Sequence, residues 1–142
     1  MAISQAVCNS FKKELLDGVH DLATGGDVFK LALYTSSANL SGSTTSFTTT
    51  GEVSASGQYA SGGSALQSQQ TSVASGVAIV DFADLSFTGV TLTSRGALIY
   101  NTSDTNKAVC VLDFGGDKTA TAGTFTIQFP AFTTAAAILR IS

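Results

Sequence analysis

Hydrophobic residues recur with a helical period in only one segment, near the beginning of the chain. Between residues 4 and 16 the apolar positions return at intervals of three and four, which places them on one face of a helix. They are Val7, Cys8, Phe11, Leu15 and Leu16. Ser4 can cap the start of this helix and Gly18 can end it. The apolar stripe must then dock on the rest of the fold or on a neighbouring subunit.

From residue 27 onwards the pattern becomes that of short strands separated by turn residues. In residues 124–129, for example, Phe125, Ile127 and Phe129 alternate with polar residues, as on a strand with one buried face. The predicted strands are 28–34, 75–82, 86–93, 96–101, 108–114, 124–129 and 136–141, with turns at 83–84, 103–106 and 115–118. We therefore expect a mainly β fold, an antiparallel β-sandwich or jelly roll with one N-terminal α-helix.

A polar tract rich in Ser, Thr and Gly occupies residues 35–75. Such a tract can be a disordered linker. Here apolar residues are spaced along it, at Leu40, Phe47, Val53, Tyr59, Leu66 and Val73. These anchors favour ordered, extended loops with one or two short strands. The sequence thus predicts a single domain over 1–142, with a helical segment at 1–22 and a β-sandwich at 27–142.

The composition indicates a surface that is hydroxylated rather than ionic. Hydrophobic residues make up 44% of the chain and charged residues only 12%, against roughly a quarter charged in ordinary globular proteins. Low charge suits a surface covered by neighbouring subunits, although a soluble domain with a neutral surface would also have it. The net charge of −3 and the scattered Lys and Arg residues exclude a basic face for nucleic acid.

Neither cysteine usage nor targeting signals indicate export or a membrane. Cys8 and Cys110 each lie in an apolar stretch, so we predict two reduced, buried thiols unless the fold brings them together. No apolar run approaches the ~18 residues of a membrane span. The N-terminus lacks a charged region followed by an apolar one. We expect folding in the cytoplasm of the cell that makes the protein.

Candidate catalytic chemistry is sparse. His20 is the sole histidine, which excludes a histidine-based triad or a multi-histidine metal site within one chain; we expect it to be solvated or to cap the helix. The pairs Asp81/Asp84 and Asp113/Asp117 lack enough neighbouring oxygen ligands for a cation and more commonly cap turns. The sequence predicts no enzyme, no catalytic residue, no metal site and no cofactor.

The candidate functional residues are therefore partner contacts. The helix stripe contributes Phe11 and Leu15, and exposed anchors of the polar tract contribute Phe47 and Tyr59. Glu52 is an isolated anion in a neutral segment, either solvated in a turn or paired with a partner. Arg95 lies between two apolar strands, and we expect it to be partly buried and paired with a carboxylate because an unpaired guanidinium there would be costly. These residues are Phe11, Leu15, Phe47, Glu52, Tyr59 and Arg95.

Seven blocks of the sequence resemble a family of small virion structural proteins from tailed bacteriophages and prophages. The blocks are NSFKKELLDG (9–18), FKLALYTSSANL (29–40), GEVSASGQYASGG (51–63), DFADLSFTG (81–89), TLTSRGALIYN (91–101), VLDFGGDK (111–118) and GTFTIQFP (123–130). They follow in order over most of the chain, and none is a catalytic signature.

The resemblance implies a structural protein of the virion, made in the cytoplasm of the host bacterium. We expect a capsid decoration (cement) protein on the outside of the head, homo-oligomeric in the particle, with the major capsid protein as its partner. The absence of repeats and heptads disfavours a fibre, but a tail or fibre-associated component remains the alternative. A glycan-binding module is a further alternative, weakened by the absence of tryptophan.

Overall fold

Within the residues that the structure describes, the backbone forms two antiparallel sheets and one α-helix. A computed structural model describes residues 2–130 and 138–141. In chain order the elements are β1 (Ala6–Val7), α1 (Asn9–Leu16), β2 (Phe29–Tyr34), β3 (Ser64–Ala65), β4 (Gln70–Ala74), β5 (Val77–Asp81), β6 (Leu85–Asn101), β7 (Lys107–Ile127) and β8 (Leu139–Ile141). The mainly β, sandwich-like fold class with one N-terminal helix is confirmed.

A hairpin of two long strands dominates the larger sheet, whose strand order is β1-β7-β6-β2-β3. β6 and β7 each run continuously where the sequence pattern predicts two strands, and the predicted turn at 115–118 is wrong. The β6–β7 ladder has several register shifts, which let a strand take up extra residues without ending. Gly115 lies in this stretch with φ +78°, a conformation that glycine adopts at little cost.

The turn between β6 and β7 is the one predicted at 103–106. A short 3₁₀ helix covers Thr102–Asp104, and Thr105 and Asn106 follow with φ of 52° and 59°. The Asn101 side chain accepts a hydrogen bond from the Ser103 backbone N–H at 2.9 Å. This bond fixes the end of β6 and, as shown below, the orientation of the Asn101 amide.

The polar tract is ordered along its length, as its apolar anchors predict. Four anchors are buried in the core, namely Leu40, Val53, Tyr59 and Leu66. The tract holds two short strands: β3 pairs with β2, and β4 begins the smaller sheet. The interpretation as a disordered linker is therefore wrong.

The N-terminal helix begins later than its period predicts. Residues before Asn9 are extended, and β1 pairs with β7 so that Ala6 lies opposite Val111 and Val7 opposite Cys110. Hydrogen bonds to the edge of β7 thus override the local helical pattern, and Ser4 is not the N-cap. The end of the helix is as predicted, since Gly18 follows it with φ +78°.

Both cysteines are free and buried, as the sequence predicts. The fold also brings them close, because Cys8 follows Val7, the residue opposite Cys110. Burial is the main cause that raises the pKa of Cys8 to about 11 and that of Cys110 to about 12. Neither thiol is therefore ionised near neutral pH.

The smaller sheet has the order β4-β5-β8. β4 and β5 are joined by the two-residue turn Ser75-Gly76, whose φ values are both positive, 51° and 77°. β8 pairs with the other side of β5. The predicted last strand, 136–141, is seen from residue 139, and its residues 136–137 lie outside the described residues. One continuous hydrophobic core joins the two sheets and the helix.

Candidate interaction surface

An apolar groove of about 620 Å³ lies between helix α1 and the three-stranded sheet. Its helix wall includes Leu15 and Leu16, and its sheet wall includes Ala78, Leu139 and Ile141. Leu16 is 89% exposed and Ile141 is 57% exposed. Large aliphatic side chains exposed on facing walls form an apolar surface of the kind that marks an interaction site.

The register of the smaller sheet explains why one of its faces is apolar. Val73, Ala78 and Ile141 lie directly opposite one another on β4, β5 and β8 and so form one row on one face. The next row on that face is Thr71, Val80 and Leu139. Val80 and Leu139 are buried, whereas Val73 is 69% exposed. The fold therefore buries Val80 and Leu139 and leaves the row with Val73, Ala78 and Ile141 exposed.

The predicted helix stripe is divided between the core and the groove. Phe11 is 3% exposed, with its ring centroid 4.8 Å from that of His20, so it docks on the chain's own fold. Leu15 is partly buried against the core and lines the groove. Leu16 is the outermost of the three; it belongs to the predicted stripe but is not among the predicted partner contacts. Adjacent helical residues point about 100° apart, which could have indicated that Leu15 and Leu16 do not share one buried face.

His20 lies on the inner side of this groove and is buried, 6% exposed, so the expectation of a solvated or capping histidine is wrong. Its Nε2 lies 3.0 Å from a Glu14 carboxylate oxygen, and its Nδ1 lies 2.9 Å from the Asn101 side-chain nitrogen. That nitrogen also donates to Asp27 at 2.8 Å. The burial follows from the loop after α1, which turns the ring onto the end of β6.

These contacts determine which ring nitrogen of His20 carries the proton. Because the Asn101 oxygen accepts from Ser103, its amide nitrogen must donate to Nδ1 of His20. Nδ1 is then an acceptor, and the single ring proton lies on Nε2, where it is donated to Glu14. Both ring nitrogens are used, so His20 is a neutral structural link between α1 and β6 rather than a base with an open lone pair.

Glu52 and Tyr59 form a hydrogen-bonded cluster within the loop region. The Glu52 carboxylate accepts from the Tyr59 hydroxyl at 2.7 Å, from Ser61 Oγ at 2.9 Å and from the Gly62 backbone N–H at 2.6 Å. Tyr59 Oη also accepts from the Leu33 backbone N–H at 2.8 Å. Burial is the main cause that raises the pKa of Tyr59. At 1% exposed, Tyr59 is a core residue, and the expectation that it is exposed is wrong.

The other two predicted contacts have different settings. Phe47 is half-buried, with its ring stacked on Tyr100 at a centroid distance of 4.7 Å, so it is not the exposed anchor that we expected. Arg95 is partly buried and contacts Asp117 at 3.3 Å, as the sequence predicts. Neither residue lies in the groove lining, and the six predicted contacts do not form one patch.

One aspartate of each predicted pair accepts a hydrogen bond from a backbone N–H. Asp84 accepts from the Phe129 N–H at 2.8 Å, and Asp113 accepts from the Gly115 N–H at 2.9 Å. Burial raises the pKa of Asp81, with a smaller contribution from Asp84. In the part of the chain that the structure describes, no group of three or more His, Cys, Asp and Glu residues could hold a metal ion. Within the same residues, no helix is long and apolar enough to cross a membrane.

Comparison with protein-family models, curated proteins and solved structures found no match. The resemblance to tailed-phage structural proteins therefore rests on the sequence blocks alone. The groove and the strands beside it are the features from which a function is argued.

Proposed function

We propose that this protein is a non-enzymatic structural subunit that binds a partner through the apolar groove between α1 and the smaller sheet. The observation that carries the proposal is the exposure of Leu16 and Ile141 on the walls of this groove, with Val73 exposed in the same row of the sheet as Ile141. Exposed apolar surface of this kind is stabilised when a partner covers it. The engagement of both His20 ring nitrogens, and of the Glu52 carboxylate, in internal hydrogen bonds supports a structural rather than a catalytic role.

The finer proposal is that the assembly is a tailed-phage virion and that the subunit decorates the outside of the head, with the major capsid protein as its partner. The seven sequence blocks support the virion. A helix and a sheet that form an apolar cleft at the surface suit a clamp between neighbouring shell subunits. A protein that binds the assembled shell preferentially stabilises it by mass action. A tail or fibre-associated position is the alternative.

The structure removes the main support for the glycan-binding alternative. It required exposed aromatic side chains, and Tyr59 is buried while Phe47 stacks on Tyr100. The large hydrophobic residues exposed in the described part of the chain are aliphatic: Leu16, Val28, Val73 and Ile141. Flat aromatic surfaces are what sugar rings stack on, so the structure gives no reason to prefer this class.

The proposal is tested by adding purified protein back to particles that lack it. We expect such particles to assemble but to lose their genome at lower temperature, and to regain resistance with the wild-type protein. Because the groove is apolar, rescue should depend little on salt. Leu16→Asp should fail to rescue, whereas Ser54→Asp, which adds the same charge at an exposed position outside the groove lining, should rescue fully.

Two outcomes would contradict parts of this proposal. If Leu16→Asp folds and rescues as well as the wild type, the groove is not the binding surface. If the protein co-purifies with isolated tails and is absent from tailless heads, the decoration role is wrong and the tail alternative holds.

A further inference from the structure

Strand β4 is an open edge of the smaller sheet. It pairs with β5 on one side, and its five residues are all exposed. In residues 2–130 and 138–141 no strand pairs with its other side, because β8 lies beyond β5. A strand in this position presents unpaired N–H and C=O groups that another strand can bind.

The turn determines which backbone groups face outwards. In a two-residue hairpin turn with both φ values positive, the flanking residues form a hydrogen-bonded pair, here Ala74 and Val77. Hydrogen-bonded and non-bonded pairs then alternate along the ladder. Ser72 is therefore bonded to β5, while the N–H and C=O groups of Thr71 and Val73 point to the open side.

The edge lacks the features by which proteins prevent strands from pairing. Such features are charged side chains, prolines, bulges and very short length. β4 reads Gln-Thr-Ser-Val-Ala, and its five residues pair with β5 in unbroken register. By contrast, the edge strands of the larger sheet, β1 and β3, have two residues each. Compared with β1 and β3, β4 is therefore the edge strand best suited to pair with another strand.

The sequence of β4 is complementary to itself. In an antiparallel pair of two copies centred on Ser72, Thr71 lies opposite Val73 of the second copy, and Val73 lies opposite Thr71. All of these residues have outward-facing backbone groups, so the two pairs can exchange hydrogen bonds. Ser72 faces Ser72 of the second copy at a non-hydrogen-bonded position. This register opposes no like charges and places β-branched residues side by side, a favourable cross-strand pair.

We propose that two copies of this chain pair through β4, edge to edge and antiparallel, so that their smaller sheets form one continuous sheet. The two copies are then related by a two-fold axis perpendicular to the continuous sheet. This symmetry places the apolar rows of both copies on the same face of that sheet. The row with Val73, Ala78 and Ile141 then meets the Thr71 row of the second copy. This inference rests on the proposed function in one respect: it assumes that many copies of the protein lie side by side in the assembly.

Disulfide cross-linking of purified protein tests the register. Directly opposed residues at a non-hydrogen-bonded site have Cα atoms about 4.5 Å apart, within the roughly 4.4–6.8 Å that a disulfide spans. Ser72→Cys should therefore cross-link two copies under mild oxidation. In the matched control Ala74→Cys, the two cysteines would be separated by about 13 Å along the strands. We expect at least tenfold more covalent dimer for Ser72→Cys. The native cysteines are buried and do not compete.

A second substitution tests the backbone pairing itself. Val73→Pro removes an outward N–H and leaves the bonds to β5, and an edge strand tolerates proline. Combined with Ser72→Cys, it should reduce dimer formation to the level of Ala74→Cys while circular dichroism remains that of the folded protein. If Val73→Pro unfolds the protein, Val73→Lys is used instead, since a lysine on the edge also opposes pairing.

Equal cross-linking of Ser72→Cys and Ala74→Cys at the highest soluble concentration would overturn the proposal. So would unchanged cross-linking in folded protein that carries both the Val73 and the Ser72 substitutions. If Ser72→Cys forms no dimer with its own copy but cross-links to a different protein in the particle, a strand of that protein occupies β4, and self-pairing would again be wrong. Because cross-linking uses no particles, its result is separate from the rescue test with Leu16→Asp.

Discussion

Replacing Glu52 with alanine should destabilise the loop region that packs on the larger sheet. The carboxylate accepts hydrogen bonds from two buried groups, the Tyr59 hydroxyl and the Gly62 N–H, and from the exposed Ser61 hydroxyl. Without it, water can satisfy Ser61, the Tyr59 hydroxyl keeps only a long contact to the Leu33 carbonyl at 3.5 Å, and the buried Gly62 N–H loses its acceptor. A buried donor left unpaired costs roughly 1–3 kcal/mol. Glu52 is itself only half-buried, so water reaches part of the site, and we expect a loss of about 3 kcal/mol.

Two further substitutions separate the contribution of the Glu52 charge from that of its hydrogen bond to Tyr59. Glu52→Gln keeps one oxygen for Tyr59 and Gly62 and can direct its amide nitrogen towards Ser61, whose hydroxyl can rotate to accept. We expect it to cost about 1 kcal/mol, the difference between a charged and a neutral acceptor. Tyr59→Phe removes the hydroxyl from the same cluster. The double mutant with Glu52→Ala should therefore be less destabilised than the sum of the single changes, by roughly 1 kcal/mol.

Urea denaturation followed by circular dichroism measures these free energies of unfolding. The order Glu52→Ala, Glu52→Gln, wild type in increasing stability is the expected result. A loss below about 0.5 kcal/mol for Glu52→Ala, the size of an ordinary surface change, would refute the reasoning. Glu52 would then be available to pair with a partner, the alternative that its isolated position in the sequence leaves open.

Three other predictions concern the helix, the histidine cluster and the thiols. Leu15→Asp should cost about 2–3 kcal/mol in urea denaturation because Leu15 packs on the core, whereas Leu16→Asp should change stability by less than about 0.5 kcal/mol. Asn101→Ala should cost about 2 kcal/mol, since it leaves a buried histidine nitrogen without its donor; equal stability to the wild type would contradict the assigned network. Burial raises the pKa of Cys110 from 9.0 to about 12. Above pH 9 the unfolded chain therefore loses this proton first, and stability should fall by about 1.4 kcal/mol per pH unit from this group. Cys110→Ala should show a shallower fall between pH 9 and 11, and an unchanged slope would contradict the assignment.

Local patterns were sufficient for the fold class and for much of the order of the chain. Alternation of apolar and polar residues predicts strands because a half-buried strand exposes every second side chain. The spaced anchors correctly indicated that the tract 35–75 is ordered, since each offers apolar area that can be buried. The turn at 103–106 and the helix end at Gly18 followed from residues that adopt special backbone conformations. Arg95 pairs with a carboxylate as predicted, but the Arg95 and Asp117 side chains are 40% and 52% exposed, so the cost of an unpaired buried charge is not the reason.

The remaining features depend on contacts between residues far apart in sequence. β1 forms where the edge of β7 supplies hydrogen bonds. The residues predicted to form a turn at 115–118 form a bulge within β7 instead, because pairing with β6 resumes at Lys118. His20 and Tyr59 are polar residues whose burial requires partners, and those partners lie on other elements. The groove likewise lies between two surfaces, one from α1 and one from the smaller sheet, that are far apart in sequence. A single-sequence pattern records which side chains are apolar, whereas the covering of each one is decided by the element that packs against it.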